Sequence, residues 1–385
     1  MDRRYKWRLE EYTHAERPLA FESYHWENEP VLRQKVREAT GLEHELATIG
    51  SEWNQILKMM EWVHNLSAHQ GHSEAPSLGA LELLSGVKND TVTFRCVEFS
   101  HMFQQVCSAF GIPARVIGVR LPKSDVGLGK GHVVVDAWSN DYQKWVVLDP
   151  EMNMFYTDGE GNPLSVFEIH DRVRNNMFDD IVMSREAELR VEADRFAARD
   201  NIDYESLEVP EGYTRDELWD AIPEHSGFEE FSKSWKKYYH RFTFRREYSF
   251  VRDKSVSGSS GGSDLFYYDE HELPPIVFQQ MRQVCDYTCD RTKIDFKVNA
   301  AEIQWVPCDV TEETPIEDTR KITVCLRHSM PWFSYFEVHV NDTRLVVTES
   351  EITVNLREHN NVIVVTPVSQ LGRRGSTSVL RVSVN

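Results

Sequence analysis

The sequence is short of positive charge: 43 Lys and Arg stand against 62 Asp and Glu, a formal net charge of -19 over 385 residues. A nucleic-acid partner is therefore not expected, because neutralising phosphates takes concentrated Lys and Arg. Cysteine is sparse as well. Six residues (Cys96, Cys107, Cys285, Cys289, Cys308 and Cys325) are too few for a disulfide scaffold in a chain of this length and fit a reducing compartment. No apolar run approaches a membrane span of about 20 residues. Met1 to Arg17 is charged throughout and lacks the apolar centre of a secretory signal. The expectation is a cytoplasmic protein with no membrane partner. No Asp-rich calcium loop and no cofactor motif occur, so neither calcium dependence nor a cofactor is expected.

What is present is enough apolar residue, 41% of the chain, for two or three domains with proper cores. The stretch from Phe94 to Pro150 organises the rest. Cys96, Phe99, Phe103, Val106, Cys107 and Phe110 recur at helical spacing, which predicts an amphipathic helix with Cys96 in its first turn. Asp90, Thr91 and Thr93 are candidate N-caps, and Gly111-Ile112-Pro113 reads as the stop. A thiol at a helix N-terminus meets the positive end of the backbone dipole and unpaired amide hydrogens, which favour thiolate and can hold an oxyanion. Three β-rich runs follow, Ala114 to Leu121, His132 to Trp138 and Trp145 to Leu148, separated by Pro122 to Gly131 and Ser139-Asn140-Asp141. Antiparallel pairing would set His132, opening the second strand, beside Asp149, following the third. Thiol, imidazole and carboxylate then supply the nucleophile, base and orienter of thiol acyl transfer.

The run from Cys96 to Arg115, then Gly131-His132, then Trp145 to Pro150, resembles the transglutaminase-like superfamily over roughly Trp53 to Leu164, with three motifs in the right order. The resemblance implies an α+β, papain-like core in which Cys96 is nucleophile, His132 base and Asp149 orienter. It departs from the family pattern at Val134 and Asp136, where many members carry Trp and Glu, and the candidates for the family's upstream oxyanion donor, a Trp or Gln, are Trp62 and Trp53. A carboxamide or peptide carbonyl of a protein or peptide is the expected substrate, with no cofactor and no metal. The competing class is a non-catalytic peptide- or protein-binding module on the same fold. A deeply buried Cys96, or a Cys96 far from His132, would favour it.

Four regions are expected: an N-terminal extension (1–46), the transglutaminase-like core (47–185), a helical and β extension of that core (186–290) with a flexible loop at 255–263, and an immunoglobulin-like β-sandwich (291–385). The extension carries a strand and a helix, Glu29 to Thr40, laid over the core. Ser51 to Ala68 presents Trp53, Ile56, Leu57, Met60, Val63 and Leu66 on one helical face as a packing partner for the Cys96 helix. Helices are also read at Leu164 to Val173, Arg185 to Ala198, Arg215 to Ile222 and Pro274 to Val284, and strands at Tyr238 to Val251 and Leu265 to Tyr268. From Lys293 eight short alternating strands recur at sandwich spacing. His69, His72 and Glu74 read as surface residues, and Cys285, Cys289, Cys308 and Cys325 are too irregularly spaced for a zinc site. The Gly-rich Pro122 to Gly131 lacks Walker spacing and reads as a flap beside His132.

Overall fold

The computed structural model describes residues 7–12, 25–26, 29–68, 75, 78–120, 131–186, 188–189, 203–207, 209, 214–216, 219, 228–245, 247–248, 264–269, 285–307 and 320–384. The 122–130 flap, the 255–263 loop, His69, His72, Glu74, Cys308, the 274–284 helix and most of the helices read at 185–198 and 215–222 lie outside them. The chain divides into two compact units, Glu27–Ile294 and Met1–Trp26 with Asp295–Asn385.

The Glu27–Ile294 unit is built on an eight-stranded sheet. Its strand order is Cys285–Thr288, Asp264–Tyr267, Arg241–Arg245, Ala114–Arg120, Gly131–Ser139, Lys144–Asp149, Met154–Thr157 and Val182–Met183. Every neighbouring pair is antiparallel except the first. The central strands are buried on both faces, and their parity shows how. Val135, Ala137, Val146 and Leu148 enter one core with the helices Glu52–His64, Ala80–Lys88 and Cys96–Ala109. Their neighbours Ile117, Val119, Val134 and Val147 enter a second core with the helix Val166–Arg174. Strand side chains alternate between faces, so a sheet covered on both sides reads as continuous apolar runs, as Trp145 to Leu148 does.

The Cys96–Ala109 helix is the centre of the first core. Its sequence predicts an apolar stripe, yet every residue from Glu98 to Ala109 is buried. Polar residues on its far side meet fixed partners instead of water. Gln105 accepts from the Ala80 amide at 2.9 Å and donates to the Leu78 carbonyl at 2.7 Å. Ser100 donates to the Val133 carbonyl at 2.8 Å and so ties the helix to the His132 strand. Amphipathic periodicity could not show this, because the residues that cover the polar side come from elsewhere in the chain.

The helix ends as its sequence predicts. Gly111 takes φ 74°, its amide donates to Ser108 and the Ile112 amide to Cys107, the paired bonds of a Schellman stop. Its start differs from expectation. The N-cap is Arg95 rather than Asp90, Thr91 or Thr93, and Cys96 is the first helical residue. The fully buried Glu98 carboxylate supplies the missing acceptor. It takes the Arg95 amide at 3.1 Å and the Ala75 amide at 3.2 Å, while the Arg95 guanidinium neutralises it at 3.0 Å.

The other unit has two antiparallel sheets, one of five strands and one of three, enclosing a single apolar core. Ile303, Ile322, Val324 and Val354 enter it from the smaller sheet, and Phe336, Val338, Ile363, Val365, Leu380 and Val382 from the larger. This arrangement is compatible with a β-sandwich. Seven of the eight expected strands form; in the first, expected at Lys293 to Val298, Lys293 instead closes a short 3-10 turn and the residues after it join no ladder. The N-terminal strand Trp7–Tyr12 is the larger departure. Rather than covering the core, it pairs antiparallel with Ser378–Val384, and Glu11 bonds Arg381.

Candidate active site

His132 is the second residue of its strand, and Asp149 is the last of the neighbouring one. The register pairs Val135 with Leu148, so continuing the ladder sets Asp149 opposite Val134 and diagonal to His132 on the same face. A diagonal neighbour is within side-chain reach, and Nε2 of His132 lies 2.8 Å from Oδ2 of Asp149. Nδ1 is then the nitrogen left for the other side of the ring. There the Cys96 sulfur, the His132 ring and the Glu151 carboxylate all lie within 4.8 Å of one another. Cys96 is partly exposed at the helix start, whereas Cys107 in the same helix is fully buried. Neither condition favouring a non-catalytic module, a deeply buried Cys96 or a distant His132, is met.

The electrostatics follow from burial. Burial alone would disfavour a charge on His132, but the Asp149 charge, its hydrogen bond, and Cys96 outweigh it. The imidazole pKa is held well above its ordinary value. Asp149 is itself fully buried and is held by the Met152 amide at 3.1 Å and the Trp235 indole N–H at 3.3 Å. Beneath it, burial first and then the Asp149 charge push the Tyr156 phenol well above its usual range, so the carboxylate faces a neutral hydroxyl.

Three residues at this site escaped the sequence reading. Trp235 packs its ring 4.8 Å from the imidazole, and Tyr238 stands 6.2 Å from it. Burial pushes the Tyr238 phenol up, so it remains a neutral donor. Trp235 comes from the helix Phe228–Lys237, a helix not predicted although Phe228, Phe231, Trp235 and Tyr238 carry the i, i+3, i+7, i+10 spacing that signals one. Glu151 lies in the turn after Asp149 and had no local signal. Of the suggested upstream donors, Trp53 is a core residue in edge contact with Tyr142 and Phe155, and Trp62 packs half-buried beside the first core.

A model of the transglutaminase-like superfamily matches residues 42–150, a span that contains Cys96, His132 and Asp149 and stops one residue before Glu151. No curated protein sequence matches the chain. Residues 42–150 are thus a transglutaminase-like domain, a fold associated with cysteine-dependent enzymes. Among the described residues, no helix is long and apolar enough to cross a membrane.

Proposed function

We propose that the transglutaminase-like domain of residues 42–150 is a working thiol acyl-transfer centre acting on a carboxamide or peptide carbonyl of a protein or peptide. One observation carries this reading: His132 is held by Asp149 at 2.8 Å through Nε2, with its other face turned to a partly exposed Cys96.

The Cys96 sulfur attacks the carbonyl carbon while His132 holds the thiol proton on Nδ1. The oxyanion forms beside the backbone amides of the first helical turn, where Cys96 is the first residue. Collapse of the tetrahedral intermediate breaks the C–N bond, and Nδ1 returns the proton to the leaving amine. The resulting thioester is resolved by water, giving hydrolysis, or by a second amine, giving transamidation; in either case His132 accepts the incoming proton and Cys96 leaves. Asp149 fixes the ring so that Nδ1 faces the thiol and stabilises the imidazolium at each stage. Water is the default acceptor for a partly exposed thiol, so hydrolysis is the first activity to assay.

The test is the rate of Cys96 alkylation by iodoacetamide against pH, read by mass spectrometry, in the native protein and His132→Ala. Fast alkylation near neutral pH that the variant loses is the expected result and leads to screening of glutamine and peptide amides. A Cys96 that reacts no faster than Cys107, or only on unfolding, overturns the proposal.

A further inference from the structure

The mechanism above leaves the carboxylate of Glu151 without a role. The Glu151 carboxylate is only 8% exposed, with Oε2 at 3.7 Å from Nδ1 of His132. Its position is built into the turn. Nδ1 of His64 donates to the Glu151 carbonyl at 2.8 Å, the Met152 amide is taken by Asp149 at 3.1 Å, and the Met152 carbonyl by Arg185 at 2.8 Å. A separation of 3.7 Å is too long for a hydrogen bond between nitrogen and oxygen. It is close to another geometry: nitrogen and oxygen ligands at about 2.0–2.2 Å from a tetrahedral ion stand about 3.3–3.6 Å from one another, so a shift of a few tenths of an ångström would bring the two onto one ion. Cys96, the remaining member, lies within 4.8 Å of both.

We propose that Cys96 Sγ, His132 Nδ1 and a Glu151 carboxylate oxygen form a binding site for a thiophilic divalent cation of the Zn2+ type, which reversibly silences the thiol. A sulfur, nitrogen and oxygen set suits Zn2+ and excludes Mg2+ and Ca2+, which require oxygen ligands. The thiolate and carboxylate balance the dication. Three protein ligands leave one position for water. The outer support is already in place, because Asp149 holds Nε2 of the ligating imidazole at 2.8 Å, the carboxylate–histidine–metal arrangement of zinc sites. Cys96 and His132 share one proton whichever atom carries it, and binding expels that single proton to solvent as the S–Zn and N–Zn bonds form. The silencing rests on the acyl-transfer reading; the coordination does not.

The test uses the full chain, stripped with a chelator, and Co2+ as the probe. A single equivalent of Co2+ should raise a thiolate-to-metal charge-transfer band, which Zn2+ removes by displacement and Cys96→Ser abolishes. The exposed Cys289 lies elsewhere in the unit, so Cys289→Ser should retain the band. Zn2+ at ten times its dissociation constant should slow Cys96 alkylation about tenfold by mass action, and the chelator should restore the rate. Glu151→Gln, with its fold checked by circular dichroism, should weaken Zn2+ binding about 10–100-fold or more, as should Asp149→Asn through the outer support. A band that persists in Cys96→Ser, or a Glu151→Gln protein that binds Zn2+ as tightly as the native one, overturns the site. If no band forms while metal-free Cys96 still alkylates fast and in a His132-dependent way, the metal inference fails and the thiol reading stands. If the band forms but alkylation is slow, the metal site stands and the thiol reading fails.

Discussion

Arg115 and Asp136 face each other across adjacent strands, and both are buried, at 1% and 0% exposure. The guanidinium donates twice to one oxygen of Asp136, at 3.1 and 2.7 Å, and once to the Ile294 carbonyl at 2.7 Å. Its plane is covered by Trp145 at 3.9 Å and Phe244 at 4.6 Å. Removing one partner therefore strands a charge where water cannot reach it. Arg115→Met is expected to destabilise the Glu27–Ile294 unit by about 3–5 kcal/mol, and Asp136→Leu by a similar amount. Replacing both removes the stranded charge. The double variant should then lose only about 1–3 kcal/mol, largely from the Ile294 carbonyl left without its donor. The interaction energy across the cycle is thus about 3 kcal/mol or more. Hydrogen exchange read by mass spectrometry on peptides from Ala114–Arg120 and Lys144–Asp149 isolates this unit from the other. Single variants costing less than about 1 kcal/mol, or effects that simply add in the double variant, would refute the claim that the two charges are buried as a pair.

Three further outcomes are expected. The raised pKa of His132 gives a stability contribution fully present below pH 6.5, the unfolded value, and lost as pH rises through the folded pKa, so urea midpoints should fall on the alkaline side and His132→Gln should flatten that slope. Trp235→Phe keeps a ring against the imidazole but removes the N–H on Asp149, and should cost about 1 kcal/mol with a matching slowing of Cys96 alkylation; an unchanged rate would mean the indole does not position Asp149. Gly111→Ala forces alanine to φ 74° at the helix stop and should lower stability by about 1 kcal/mol, read as a shift in thermal midpoint.

The features legible in the sequence were those set by neighbours along the chain. The helix from Cys96, the Gly111 stop and the strands carrying His132 and Trp145 to Leu148 follow from side-chain periodicity and backbone conformation, which act over a few residues. Pairing those strands antiparallel was enough to anticipate His132 beside Asp149, because strand parity fixes which side chains share a face. The cap on the Cys96 helix was misread because its acceptor is a buried Glu98 inside the helix, which no search upstream would find. Trp7–Tyr12 was assigned to the wrong core because an isolated strand carries no label for its partner, and here that partner lies at the opposite end of the chain. Trp235 arrives at Asp149 from 86 residues away, and Glu151, whose carbonyl is bonded by the distant His64, brings its carboxylate to 3.7 Å from His132. The sequence by itself therefore determined the local elements and two of the groups around His132, the thiol and the orienting carboxylate. Which further groups crowd that imidazole was decided by tertiary structure alone, since contacts between distant segments depend on how the whole sheet and its covering helices close around the site.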